Sequence, residues 1–211
     1  MSATRHITAI SSMFLLISMV RAEIIDEIAV SVGNSVITAD DLDRAIRVTA
    51  LINGVPPDFS PANKRASAAR LVDQKLIQKE LEASRYPVPD ASAANPLFEE
   101  FHKTHSAQEL AQYGLTEQDI RDASLWQLTL LRFIEVRFRP GVQISDQQIQ
   151  EYFDRVVKPA AEGAGDPVSL EDFRGKIETT LAGQQTDKEV DNWLKEARKR
   201  TEIVYHDEVF Q

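Results

Sequence analysis

The sequence predicts a mainly α fold in which several helices pack beside a small antiparallel sheet. Segments with apolar residues three and four positions apart cover most of the chain, which is typical of amphipathic helices. Short alternating apolar runs, typical of strands, occur after the first residues and again near the end. With 211 residues, 43% of them hydrophobic, the chain is long enough to bury a core without disulfides or metals.

An N-terminal hairpin is predicted at 28–37, where two alternating runs flank a two-residue turn. Thr38 and Asp41 form a capping pair, which predicts a helix that ends near Ile52. The next apolar stripe predicts a long amphipathic helix over 61–84. The first third of the chain is therefore expected to be a hairpin followed by two helices.

The middle of the chain is expected to be entirely helical. Shorter helices are predicted at 96–103 and 107–113, and a second capping pair, Thr116 with Asp119, begins a helix that extends to about Arg139. The apolar residues of this last helix cover most of its circumference rather than one stripe. Several of its faces must therefore be covered by other parts of the protein or by a partner.

The C-terminal part combines helices with one short strand. Ser145 caps another helix, and an Ala/Gly/Pro-rich stretch at 158–168 is predicted to be a linker. Helical spacing resumes over 169–200, and 202–206 then changes to a β pattern. Because a lone strand needs a partner and a two-stranded sheet is marginal, we expect this strand to pair with the N-terminal hairpin.

Composition excludes several classes of function. The chain has 24 Lys and Arg against 33 Asp and Glu, a net charge of −9, which argues against a nucleic-acid partner. It has no cysteine, which excludes thiol nucleophiles, thiolate zinc sites and iron–sulfur clusters. The sequence predicts neither a cofactor nor a metal.

Residues 1–22 have the features of a signal peptide. Arg5 precedes a mostly apolar run at 7–20, which is too short to span a membrane and fits the apolar region of a leader. Cleavage is predicted after Ala22; an uncleaved anchor is the alternative. Cleavage would leave 22 basic and 33 acidic residues, a net charge of −11, on a periplasmic chain without a stable membrane anchor.

No motif predicts catalysis. The sequence lacks a phosphate-binding loop, a Gly-x-Ser-x-Gly nucleophile motif and a His-Glu-x-x-His zinc motif. Glu99, His102 and His105 are spaced so that they could share part of a helix face, which makes them the best metal-like group in the chain. Two solvated histidines at a helix end explain the same spacing, and we favour that interpretation.

Four segments of the chain are, in order, IIDEIAVSVGNSVITADDLD, RLVDQKLIQKELEASRYPVPD, YGLTEQDIRDASLWQLTLLRFIEVRF and VQISDQQIQEYFD. Together, and in this order, they resemble the N-terminal domain of SurA-like periplasmic chaperones, a family associated with parvulin-type prolyl isomerases. The resemblance implies a SurA N-terminal-like helical domain over 23–157, completed by the helices and strand of 169–211. Relatives commonly insert a parvulin domain between these parts, but 158–168 is far shorter than the roughly 50 residues that a domain needs.

The resemblance and the apolar excess of 125–138 together predict an ATP-independent chaperone, a holdase. It would bind unfolded or extended polypeptides, including outer-membrane proteins, through an apolar groove. The candidate peptide-binding residues are Trp126, Leu130, Phe133, Phe138 and Trp193. The other interpretation is that all of these side chains are core. Two further functions stay open: a prolyl isomerase, which the family suggests, and an envelope assembly subunit that docks one fixed partner.

Overall fold

The structure is a computed structural model that describes residues 27–162 and 169–211; the predicted leader, 1–22, lies outside these residues. The fold is mainly helical with one three-stranded antiparallel sheet, as the sequence predicts. In chain order the strands and helices are β1 (Ile28–Val32), β2 (Ser35–Thr38), α1 (Ala39–Ile52), α2 (Pro61–Ser84), α3 (Asn95–Thr104), α4 (Ala107–Gln112), α5 (Glu117–Arg137), α6 (Asp146–Tyr152), α7 (Lys158–Glu162), α8 (Leu170–Lys199) and β3 (Ile203–Tyr205).

The sheet joins the two ends of the described chain. Its strand order is β2-β1-β3, and both pairings are antiparallel. Ser31 in the central strand lies opposite Val36 on one side and Val204 on the other. Gly33 has a φ of 57° in the turn between β1 and β2, a conformation that glycine adopts without strain. The predicted pairing of the hairpin with the C-terminal strand is confirmed.

Local capping fixes where the main helices begin. Capping boxes are present at Thr38, Thr116 and Ser145, where each side chain accepts a hydrogen bond from the backbone N–H three residues later. Each box satisfies N–H groups that have no partner within the helix. The helix starts predicted at Thr38, Thr116 and Ser145 are therefore confirmed.

The predicted linker at 158–168 begins too early. A π-helical turn at 153–157 follows α6 and leads directly into α7, so that 158–162 is helical. Pro159 lacks an N–H, but it falls in the first turn after the π-helical one, where α-helical bonding starts again. The rest of the predicted linker, 163–168, lies outside the described residues.

The largest buried cluster packs the inner face of the sheet against α1 and α2. A 3-10 turn at 207–210, after β3, supplies its last two members. The cluster therefore contains residues from both ends of the described chain. Its buried members are Ala29, Val30, Val32, Ile37, Leu42, Ile46, Ala68, Val72, Leu76, Val209 and Phe210.

Polar contacts with α2 hold the C-terminal segment in place. The Nε of Arg198 donates to the carboxylate of Asp73 at 2.8 Å, and its Nη2 donates to the carbonyl of Ala69 at 2.9 Å. The hydrogen bond to Asp73 raises the pKa of Arg198 above its usual value. Lys64 Nζ donates to the carbonyl of Val209 at 2.9 Å. These contacts fix α8 and the last residues against α2.

We expect Phe210→Ala to lower the free energy of unfolding by about 3–5 kcal/mol, because it removes a buried ring from the cluster that joins both ends. Urea denaturation followed by circular dichroism measures the change. Val204→Ala, on the exposed face of β3, is the matched control and should cost under about 1 kcal/mol. Equal losses for the two variants would contradict the closure of the core by the C-terminal segment.

Candidate functional site

An aromatic cluster at the C-terminal end of α5 holds three distant parts of the chain together. The ring of Phe133 makes edge-on contacts with Phe138 and Trp193, both at 5.5 Å between ring centroids, and with Tyr86 at 5.8 Å. Ile77 and Leu81 of α2 are buried against the same ring. We call Tyr86, Phe133, Phe138 and Trp193 the aromatic cluster.

The two ends of α5 are covered by different partners, which explains its apolar circumference. Near its N-terminus, Ile120 is buried with Leu51 of α1, Phe98 of α3 and Leu110 of α4. Near its C-terminus, Phe133 is buried in the aromatic cluster. Each contact needs apolar side chains on a different face, so the helix as a whole does not show a single stripe.

A groove runs along α2 and α5 and is partly closed by α1. Two adjoining clefts of about 380 and 570 Å³ form it, and both contact Gln74, Asp122 and Trp126. We call it the α2–α5 groove. Apolar side chains from all its walls line it: Ile37, Ala45, Val48, Leu71, Leu81, Val88, Pro89, Ala123, Leu125 and Trp126.

The α2–α5 groove has the length of a short polypeptide segment. Its α2 wall extends from Ser67 to Glu82, about 22 Å along a helix that rises 1.5 Å per residue. Roughly seven residues of extended chain cover this distance. The wall also presents Gln74 and Gln78, whose amides can donate to and accept from a peptide backbone. The groove therefore combines apolar surface with partners for peptide groups.

Charged side chains lie mainly toward one end of the groove. Arg44 Nε is 3.2 Å from Asp119 Oδ1, an ion pair that connects α1 to α5. Arg70 lies in the same cleft and donates to Ser67 Oγ at 2.7 Å. At the other end Val88 is 57% exposed. The α1 end of the groove therefore has more charged side chains, whereas the Val88 end combines Glu82 and two glutamine amides with apolar residues.

A second cleft lies between the C-terminal end of α5 and α8. Its two parts, of about 590 and 500 Å³, both contact Arg137, Phe138 and Glu189, and Trp193 lines one of them. We call it the α8 cleft. The guanidinium of Arg137 lies 5.4 Å from the ring centroid of Phe138 and donates to Tyr86 Oη at 3.2 Å. Four amide side chains also line it: Gln143, Gln148, Gln185 and Asn192.

The structure separates the five residues that the sequence proposes as one peptide-binding site. Trp126 lines the α2–α5 groove, whereas Phe138 and Trp193 line the α8 cleft. Leu130 packs against the aromatic cluster and is absent from both linings. Phe133 is only 1% exposed, so its ring supports both surfaces and is not reachable by a bound chain. Its assignment as a contact residue is therefore corrected to a core position.

Sequence reasoning missed the α2 side of the groove. Gln74, Gln78 and Val88 lie on a helix and a turn that pattern alone assigns to ordinary amphipathic structure. The spacing of Ser67, Leu71, Gln74, Gln78 and Leu81 places them along one stripe of α2. That spacing is the only signal in the sequence, and it cannot distinguish a covered stripe from an open one.

The histidines near the end of α3 pack against aromatic rings. His105 stacks on Phe101 with ring centroids 4.2 Å apart, and His102 contacts Phe98 edge-on at 4.4 Å. His102 Nε2 is 3.7 Å from a carboxylate oxygen of Glu117. Within 27–162 and 169–211, no three His, Asp or Glu side chains are placed to hold a metal ion. The same residues contain no helix that is long and apolar enough to cross a membrane.

No protein-family model matches the chain, and a search of curated proteins finds no significant match. The fold and its clefts define a helical protein with partly open apolar surfaces.

We expect Phe133→Ala to cost about 3–5 kcal/mol of stability, because its ring is the centre of the aromatic cluster. Leu131→Ala, two residues away on the same helix, should cost under about 1 kcal/mol because Leu131 is 56% exposed. Urea denaturation of both variants measures the difference. Similar costs for the two would mean that α5 is not oriented as described.

Proposed function

We propose that this chain is an ATP-independent chaperone that holds unfolded or extended segments of other polypeptides in the α2–α5 groove. The observation that supports it best is the combination of an open apolar surface around Trp126 and Val88 with the amides of Gln74 and Gln78. Apolar client side chains would leave water in the groove. Client peptide groups would regain hydrogen bonds from the amides, which lowers the cost of their burial.

The size of the groove fits weak and reversible capture. A contact of roughly 400 Å² of apolar surface contributes about 10 kcal/mol before any cost. Lost translational freedom and the ordering of a flexible client offset several kcal/mol of this. The remainder corresponds to dissociation constants in about the micromolar range. A carrier must release its client without nucleotide hydrolysis, and affinity of this order permits release.

Net charge complements this function. The net charge of −9, or −11 without the predicted leader, makes copies of the chain repel one another. Repulsion of this kind keeps a protein soluble while it exposes apolar side chains. The proposed chaperone is thereby protected from aggregating with itself.

The proposed place of action is the periplasm. The apolar run and small cleavage-site residue of 1–22 support export, and the four segments that resemble SurA-like chaperones support an envelope role. Under this proposal the clients include outer-membrane proteins on their way to assembly. Segments of such proteins expose alternating apolar residues before they fold.

We expect the purified chain lacking residues 1–22 to slow the aggregation of a denatured client, measured by light scattering without nucleotide. Val88→Asp should raise the chaperone concentration needed for half-suppression about tenfold, because a client side chain would have to bury against a carboxylate. Its fold should persist, since Val88 is 57% exposed.

Val156→Asp is the matched control, because Val156 is 48% exposed and lines neither the α2–α5 groove nor the α8 cleft. It should suppress aggregation as well as the parent chain. No suppression by the parent chain, even in large excess, would refute the chaperone proposal. Co-purification of one stoichiometric protein in place of many clients would favour a fixed-partner assembly subunit.

A prolyl isomerase is the alternative from a different class. We expect the rate on a short proline-containing peptide to equal the uncatalysed rate, because 158–168 leaves too little chain for a parvulin domain. A protease-coupled isomerisation assay measures this rate. A rate above background that is lost on heat denaturation of the chain would establish an isomerase and overturn the expectation.

A further inference from the structure

The free edge of β3 presents backbone groups in a regular pattern. His206 N donates to the carbonyl of Ala29, and Gly33 N donates to the carbonyl of Glu202. In an antiparallel pair, residues that exchange hydrogen bonds recur every second position. Val204, paired with Ser31, therefore directs its N–H and C=O toward β1. Ile203 and Tyr205, on either side of Val204, direct theirs away from the sheet.

These outward groups have no hydrogen-bond partner in the part of the chain that the structure describes. The edge thus offers two donors and two acceptors in a row. Val204, which is 43% exposed on the outer face of the sheet, adds one apolar side chain beside this edge. An extended chain has the matching groups at the matching spacing.

The opposite edge of the sheet is a poorer template. The two-residue turn makes Val32 and Ser35 a hydrogen-bonded pair, so the backbone N–H and C=O of Ile37 also point toward β1. In the middle of β2, only Val36 directs its backbone groups outward. At the end of β2, the Thr38 N–H donates to the carboxylate of Asp41. β2 therefore offers half the outward groups that β3 offers.

We propose that β3 is a second polypeptide-binding site, at which an extended client segment adds to the sheet as a fourth strand. Main-chain hydrogen bonds give such a site affinity for many sequences, and the side chains beside it add a preference for apolar residues. The inference rests on the proposed function, because its occupant is the chaperone's client. It differs from capture in the α2–α5 groove, since recognition here is by backbone.

The occupant is a client segment rather than a second copy of the chain. A strand of three residues buries far less than the roughly 1,200 Å² that stable protein–protein interfaces need. Two copies, each with a net charge of −9, also repel one another. The shortness of β3 keeps strand addition weak, which prevents edge-to-edge aggregation and allows release.

Amide hydrogen exchange, measured by NMR on the chain lacking residues 1–22, tests the proposal. The probe is a short, end-blocked peptide of alternating valine and threonine. In the free chain, the amides of Ile203 and Tyr205 should exchange rapidly, whereas that of Val204 should be protected. Saturating peptide should slow exchange at Ile203 and Tyr205 by at least about tenfold. Exchange that is already slow there without peptide, or that peptide leaves unchanged, would overturn the proposal.

A pair of variants separates the two edges. Ile203→Pro removes an outward donor and leaves the β1–β3 bonds of Val204 in place, so it should weaken peptide binding about tenfold. Val36→Pro removes an outward donor from β2 and should leave binding unchanged. Equal effects of the two variants would overturn the assignment to β3. If Ile203→Pro unfolds, the exchange measurement on the parent chain still decides.

The same samples distinguish this inference from the proposed function. Aggregation suppression without protection at Ile203 and Tyr205 would refute strand addition and leave the chaperone proposal standing. Protection at these amides without suppression would support strand addition and refute the chaperone proposal. If neither suppression nor protection is observed, both proposals are refuted.

Discussion

Burial of the Phe133 ring is the constraint on which the rest of this structure depends. That ring contacts Tyr86 after α2, Phe138 at the end of α5 and Trp193 on α8, segments that are far apart in the sequence. Aromatic rings bury a large area and prefer edge-on contacts, so one well-placed ring can fix the relative positions of several helices. The positions of both clefts follow, since α5 forms a wall of each.

The α2–α5 groove exists because the buried residues of α2 pack against two different parts of the core, which leaves a third stripe of the helix to line the groove. Ala68, Val72 and Leu76 pack toward the sheet, while Ile77 and Leu81 pack toward Phe133. The remaining stripe, which includes Gln74 and Gln78, lies between α1 and α5 and lines the open groove in the part of the chain that the structure describes. An open stripe of mixed apolar and amide character favours occupation by another polypeptide, and its limited size favours weak binding.

The sheet connects this surface to the ends of the chain. β3 follows α8 directly, and Arg198 at the end of α8 is fixed to α2 by Asp73. The free edge of β3 and the α2–α5 groove thus belong to one core that includes both Ala29 and Phe210. Under the two proposals, the groove would offer side chains and the β3 edge would offer backbone groups to different parts of the same extended client. Binding at two linked sites raises the effective affinity without strong binding at either.

Local chemistry in the sequence was sufficient to predict most of the elements. Capping pairs at Thr38 and Thr116 and the turn at Gly33 act over three or four residues, so the helix starts and the hairpin are encoded where they occur. Pairing of the C-terminal strand was also predictable, because two strands alone are marginal. The helix at 158–162 was not predictable, since its alanine and proline content is typical of a linker and the π-helical turn that leads into it has no sequence signature.

The candidate site was predictable only in part. The sequence identified α5 as the helix with excess apolar residues, because composition and periodicity are visible without coordinates. It could not distinguish Phe133, which is buried, from Leu131, which is exposed, since both are apolar residues on the same helix. Which side of a helix is covered depends on distant segments such as α8, and the outward backbone groups of β3 depend on its register with β1. The sequence by itself determined most of the elements, the net charge and the closure of the sheet, because these depend on local or summed properties. The tertiary structure alone decided which apolar surface stays open, because exposure is a property of non-local packing.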